Sequence, residues 1–157
     1  MLKMFRNTIY IRLKADEIYL LQVESGNELS LPPVIAIDIK NGKKIIVAVG
    51  HEALEAKKIK PSIEIFNGFK HPRTLIADFM IAEQTLKFCI RKLMPKTLFA
   101  PSPVIIFHPL EKDDGGYTQV EMRAFEELCR QTGARKTYIK VGAKLSKEEL
   151  QRISYEQ

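Results

Sequence analysis

The chain has 157 residues, 45% of them hydrophobic, with a formal net charge of +6 and a pI near 9.3. This length fits one domain, or one domain with a small appendage, that buries roughly 70% of its extended surface. The lysines are spread along the whole sequence, and neither RNP-type aromatic motifs nor zinc-finger spacing is present, which argues against nucleic-acid binding.

The first half of the chain predicts a series of short strands. Runs rich in Ile, Val, Leu and Tyr place them at 8–13, 17–24, 32–38, 43–50 and 62–69. The first two form a hairpin, and an Asn-Gly pair favours a turn between the third and the fourth. A short helix follows the fourth strand and ends before Pro61.

The second half alternates helices and strands. The pattern predicts helices at 74–94 and 118–131, strands at 103–109 and 136–141, and a last helix from about 147. Ser146 and Glu149 form a capping box for that last helix. Charged residues within 74–94 exclude a membrane span there. The order predicts an α/β layer fold with a mixed sheet, antiparallel first and parallel later.

Cys89 and Cys129 lie far apart without a CxxC motif, so we expect buried, reduced thiols. No secretory signal is visible, which favours a cytoplasmic protein. The histidines His51, His71 and His108 have no second ligand at metal-binding spacing, so no metal site is expected.

Five stretches in order resemble the MreB family, the rod-shape-determining bacterial actins. They are LPPVIAID, VAVGHEALEAKK, LIADFMIAEQTLKFCIRK, PSPVIIFHP and VEMRAFEELCRQTGARKTYI. The resemblance extends over about residues 1–140. It implies an actin-like (ribonuclease H-like) fold for a single truncated domain over 1–157. Subdomain IA, a mixed sheet flanked by helices, would comprise 1–38 and 74–157, with a small IB-like insertion at about 39–73.

The family binds and hydrolyses ATP and forms filaments, and its first phosphate loop is a hairpin turn of the type Asp-Leu-Gly-Thr-Ala-Asn-Thr. Its acid holds hydrated magnesium, and its glycine lets the backbone approach the phosphates. Here Arg12 replaces that acid and Lys14 the glycine, while Asp16 and Glu17 would repel phosphate. We therefore expect the turn, with Ala15 at its centre, to be a structural hairpin that binds no cofactor, and the protein not to be an enzyme.

Two further comparisons with the family concern the later part of the chain. VGAKLS replaces its catalytic glutamates, and the sequence ends at Gln157, before its second phosphate loop and adenine pocket, so an N-terminal half is expected. DDGGYTQVE at 113–121 resembles the second phosphate loop, Asp-Ile-Gly-Gly-Gly-Thr. Because a helical pattern follows it, we interpret 111–118 as a loop whose polar residues cap a helix, with an anion cradle as the alternative.

The N-terminal segment MLKMFRN is basic and amphipathic. It resembles the membrane-binding N-terminus of some family members and predicts weak contact with anionic membrane at the inner face. The residues concerned are Met1, Leu2, Lys3, Met4, Phe5 and Arg6. The alternative is a frayed start of the first strand.

The leading hypothesis is an actin-like protein that acts by association, in bacterial cell-shape control or cytoskeletal regulation. The partner would be a second copy, giving a homodimer, or an intact actin homologue. Leu150, Ile153 and Tyr155 on the last helix are the predicted interface. Two alternatives stay open: one half of a split ATP-binding ATPase, and a basic nucleic-acid-binding domain.

Overall fold

The computed structural model describes residues 6–94 and 101–157. The elements of these residues, in chain order, are β1 (Thr8–Leu13), β2 (Ile18–Gln22), β3 (Glu28–Leu31), β4 (Ile35–Lys40), β5 (Lys43–Val49), α1 (His51–Ile59), β6 (Ile63–Phe66), α2 (Phe79–Leu93), β7 (Val104–Pro109), α3 (Gln119–Gln131), β8 (Lys136–Ile139) and α4 (Lys147–Tyr155).

The larger sheet has five strands in the order β3-β2-β1-β7-β8. β1 pairs antiparallel with β2 and parallel with β7, and β7 pairs parallel with β8. The predicted mixed sheet is therefore confirmed. β3 was not predicted, because its sequence ELSL is short and half polar and carries little strand signal.

The smaller sheet has three strands in the order β5-β4-β6, with α1 packed on one face. It begins at Ile35, earlier than the predicted insertion boundary at about 39. The reason is that the apolar alternation of β4 starts there and pairs with both β5 and β6. The division into IA-like parts at 1–38 and 74–157 and an IB-like part at about 39–73 stays a prediction.

Alternate side chains of the larger sheet point to opposite faces. Ile9, Ile11 and Leu13 of β1 pack in the main core with α2 and α3, on what we call the α2–α3 face. Tyr10 lies on the other side and packs with Leu150 of α4, on what we call the α4 face. Buried in the main core are the free thiols Cys89 and Cys129, as predicted, and burial raises the pKa of each to about 12.

The start of α2 is fixed by its contact with the chain that follows β6. The Asp78 side chain accepts a hydrogen bond from Ile81 N–H at 3.0 Å, so the helix begins at Phe79 rather than at 74. Ala77 N–H donates to Gly68 O at 2.7 Å. A Cβ on Gly68 would lie 2.5 Å from the Ala82 nitrogen, so only glycine allows α2 to pack this closely.

Candidate functional site

The turn between β1 and β2 lies at the carboxyl edge of the parallel strands, where open α/β sheets bind ligands. Lys14 N–H donates to Glu17 O at 2.8 Å and closes the turn. Ala15 O accepts from Asn67 Nδ2 at 2.8 Å, which ties the turn to the end of β6. Asp16 is exposed, as are Lys14 and Glu17. The turn is thus an ordered hairpin with charges of both signs facing solvent.

Arg12 lies beside this turn on the α4 face. Its guanidinium carbon is 4.1 Å from the centroid of the Tyr19 ring and 5.9 Å from that of Tyr10. Its buried Nε has no hydrogen-bond partner among the described residues. Stacking on Tyr19 holds the cation in place. The correspondence of Arg12 to the family's magnesium-side acid stays a prediction of the sequence comparison.

A chain of hydrogen bonds crosses the α4 face next to Arg12. Leu145 N–H donates to the Tyr10 hydroxyl at 3.3 Å, and that hydroxyl lies 2.7 Å from His108 Nδ1. His108 Nε2 lies 2.8 Å from Gly142 O, so Nε2 carries the proton and donates to this carbonyl. The Tyr10 hydroxyl consequently donates to Nδ1.

Burial lowers the pKa of His108, whereas the hydrogen bond to Gly142 raises it. The nearby cations Lys140, Arg12 and Lys144 lower this pKa further. His108 is therefore a neutral, structural histidine that joins β7 to the segment leading into α4. The sequence did not reveal this role, because it depends on the pairing of β1 with β7, which brings His108 to Arg12 in register.

The last helix folds back onto the larger sheet, which changes the predicted interface. Leu150 is 2% exposed and packs against Tyr10 and Ile106, so it belongs to the chain's own core and cannot contact a partner. Ile153 is half-buried, and Tyr155 is 69% exposed. The structure therefore leaves two of the three predicted residues accessible.

Polar contacts hold both ends of α4. The predicted capping box is confirmed: the Ser146 side chain accepts from Glu149 N–H at 3.1 Å, and the Glu149 carboxylate accepts from Ser146 N–H. Near the other end, Ser154 Oγ donates to the Glu24 carboxylate. This helix is thus docked on the sheet at a fixed position, and Ile153 and Tyr155 are presented from a rigid element.

A groove lies on each side of α4. One, of about 390 Å³, lies between β8 and α4 and includes Tyr138, which is 43% exposed. The other, of about 310 Å³, lies between β2 and α4 and includes Tyr19 and Leu21. Aromatic and aliphatic side chains of the sheet are therefore reachable on both flanks of the helix.

The loop at 111–118 caps α3, as predicted. The Thr118 side chain accepts from Glu121 N–H, and the Glu121 carboxylate accepts from Thr118 N–H at 2.8 Å. Tyr117 packs edge-on against Phe125 and donates to Glu111 O at 2.6 Å. Burial, followed by the nearby Asp113 and Glu121 carboxylates, raises the pKa of Tyr117 to about 12. The electrostatic environment of this loop is thus negative.

Residues 6–94 and 101–157 contain neither a metal-binding cluster nor a membrane-spanning helix. No group of three His, Cys, Asp or Glu side chains there could hold a metal ion. None of the helices in these ranges is long and apolar enough to cross a membrane. The predicted membrane-contact residues 1–5 lie outside the described residues, and Arg6 stacks 4.4 Å from the centroid of the Tyr155 ring.

Residues 6–145 match the family model described as MreB/Mbl protein. The cell shape-determining protein MreB of Haemophilus influenzae is 33% identical over 153 residues, which cover 90% of this chain and 42% of that protein. MreB5 of Spiroplasma citri bound to ADP has a TM-score of 0.62 at 20% identity, over 87% of this chain and 38% of that one. A MamK double helical filament has a TM-score of 0.63 at 14% identity, and the match covers 87% of this chain and 41% of the MamK chain.

These similarities confirm the predicted actin-like fold. The chain spans about 40% of the length of the curated relatives that it matches. The similarities also show that the prediction of a protein without enzyme activity is wrong. MreB and actin-like homologues are ATPases, so the inference of a non-enzymatic protein from the altered turn at Arg12 and Lys14 is not supported.

Proposed function

Because this chain belongs to the MreB/Mbl family, we propose that it acts in cell-shape control by associating with an actin-like subunit. That subunit is a second copy of the chain or a longer actin homologue. The observation that carries the proposal is the partly covered α4 face of the larger sheet. Support comes also from a structural neighbour, since MamK forms a double helical filament.

The dimensions show how much of this face stays open. Five strands at about 4.8 Å spacing make the sheet about 19 Å wide from β3 to β8, whereas a helix is only about 10 Å wide. The nine residues of α4 extend about 14 Å along it. The side chains on its flanks include Tyr138 and Tyr155, and exposed aromatic residues are frequent anchors of protein interfaces.

Sedimentation velocity tests the proposal with the full chain, alone and mixed with a purified MreB homologue. We expect a dimer or a mixed complex at micromolar concentration, and its loss in the double variant Ile153→Lys/Tyr155→Lys. Val120→Lys is the matched control, because Val120 is 78% exposed on α3 at the opposite face. A chain that stays monomeric at high micromolar concentration, with and without the homologue, would remove the proposal.

A second candidate function is one half of a composite ATP-binding unit completed by another actin-like chain. Homologues of the family are ATPases, and MreB5 of Spiroplasma citri has been solved with ADP, which favours a nucleotide at this edge of the sheet. Against this, Asp16 and Glu17 would repel phosphate, and Arg12 cannot coordinate magnesium, so the turn is a poor magnesium-phosphate site by itself.

Isothermal titration with magnesium-ATP separates these candidates. The chain alone is expected to bind with a Kd above about 100 μM, which corresponds to less than about 5.5 kcal/mol. If a mixture of the chain and the homologue binds more ATP than the homologue alone, the result supports the composite unit. If the mixture binds no more, the composite unit is ruled out. Tight, magnesium-dependent binding by the chain alone would refute the argument from the turn.

A further inference from the structure

The groove between β8 and α4 combines an apolar floor with a basic rim. Tyr138 of the sheet, which is 43% exposed, forms the floor, and the half-buried Leu145 and Ile153 form the side toward α4. The volume of about 390 Å³ falls in the range of about 300–1,000 Å³ that is typical of ligand-binding clefts. We call this feature the β8–α4 groove.

The charges along the rim of the β8–α4 groove are mainly positive. Arg135, Lys136 and Lys140 line it along β8, whereas Glu156 is the acidic residue on the side of α4. Lys136 Nζ lies 4.9 Å from the centroid of the Tyr138 ring. Arg135 donates to Gln157 Oε1 at 3.3 Å, and within residues 6–94 and 101–157 none of the three basic side chains forms an ion pair, so their charges are not neutralised.

We infer that the β8–α4 groove docks an amphipathic helix whose apolar stripe is flanked by Asp and Glu residues. The inference rests on the proposed function, because the helix would be carried by the actin-like partner. A helix fits because a sheet face beside a docked helix is completed by another helix packed at about 8–10 Å from the first. The acidic flanks follow from the excess of positive charge at the rim.

A flat bilayer suits this site less well than a helix does. The apolar side chains Leu145 and Ile153 are half-buried within a concave surface between β8 and α4. The exposed basic groups stand at its rim, so a planar membrane would reach the charges without filling the apolar floor. Anionic vesicles are therefore an outcome of the test rather than the proposed ligand.

The test is fluorescence anisotropy with the full chain and a labelled 18-residue peptide that carries a leucine stripe flanked by glutamates. A second peptide has lysine at each glutamate position. We expect the acidic peptide to bind at least 10-fold more tightly than the basic one. The variant Lys136→Glu/Lys140→Glu should weaken the acidic peptide at least 10-fold and strengthen the basic peptide. Lys43→Glu/Lys44→Glu, an exposed pair on β5 with the same charge change, should alter either affinity less than 2-fold.

Three results would overturn the inference. The two peptides bind equally, the β5 variant loses as much affinity as the groove variant, or the groove variant loses binding to phosphatidylserine vesicles while its peptide affinity is unchanged. Sedimentation of the same variants distinguishes this failure from failure of the proposed function. If Lys136→Glu/Lys140→Glu loses peptide binding but still associates with the partner, the groove is not the docking site, and the proposed function stands. If the parent chain binds the peptide but shows no association, the proposed function is wrong.

Discussion

Replacement of Leu150 by alanine should lower the free energy of unfolding by about 3 kcal/mol. The substitution deletes roughly three buried carbon groups at about 0.8 kcal/mol each, or about 2.4 kcal/mol. The cavity left between Tyr10 and Ile106 adds to this loss. The addition is small because the partly buried neighbours, such as Leu145 and Ile153, have room to relax into the space.

Urea denaturation followed by circular dichroism measures the change, and thermal unfolding should show a midpoint lower by roughly 6–12 °C for a domain of this size. Val120→Ala is the matched control, since it removes an apolar side chain that is 78% exposed from another helix. It should change the stability by less than about 0.5 kcal/mol. A loss below about 1 kcal/mol for Leu150→Ala would show that α4 is not docked on the sheet as described.

Three other predictions concern the docked helix, the helix–loop contact and the N-terminal segment. The pKa of His108 is lower in the folded state than its unfolded value of 6.5, so neutral His108 stabilises the fold fully above pH 6.5. This stabilisation is lost as the pH falls from 6.5 through the folded-state pKa, by at most about 1.4 kcal/mol per pH unit. Denaturation between pH 8 and 5 should show this slope in the parent and in His51→Gln, but not in His108→Gln. Gly68→Ala should destabilise the chain by about 1–3 kcal/mol in urea, because its Cβ would meet the backbone of α2; an unchanged midpoint contradicts that packing. Deletion of residues 1–6 should abolish co-sedimentation with anionic vesicles, and equal sedimentation of the truncated chain would assign any binding to the diffuse charge of +6.

Local signals predicted the elements of this fold well, whereas the long-range contacts needed the structure. Ser146 and Glu149 carry their capping information within one helical turn, and the start of α4 followed from them. The burial of Leu150 could not be predicted from the sequence. Its partners Tyr10 and Ile106 come from two distant strands, and neither strand's sequence indicates that the two are neighbours in the sheet. Of the interface residues predicted on α4, Leu150 is therefore buried within the chain, whereas Ile153 and Tyr155 remain accessible.

The candidate site shows the same limit. Arg12 and Lys14 could be identified from the resemblance alone, since they depart from a short motif. The stacking of Arg12 on Tyr19 required the register of β1 with β2. The β8–α4 groove could not be anticipated at all, because it arises where a helix crosses only part of a sheet and its lining comes from distant parts of the chain.

The position of β1 at the centre of the larger sheet has a consequence for synthesis of the chain on the ribosome. Its parallel partner is β7, with Thr8 opposite Val104, and almost all of its side chains are buried in the finished fold. At about 5–20 residues per second, roughly 5–20 s pass before that partner has been translated. During this interval the β1–β2–β3 meander presents an unpaired, apolar edge strand. Nascent or prematurely terminated chains that stop before Val104 are therefore expected to aggregate unless a chaperone covers that edge.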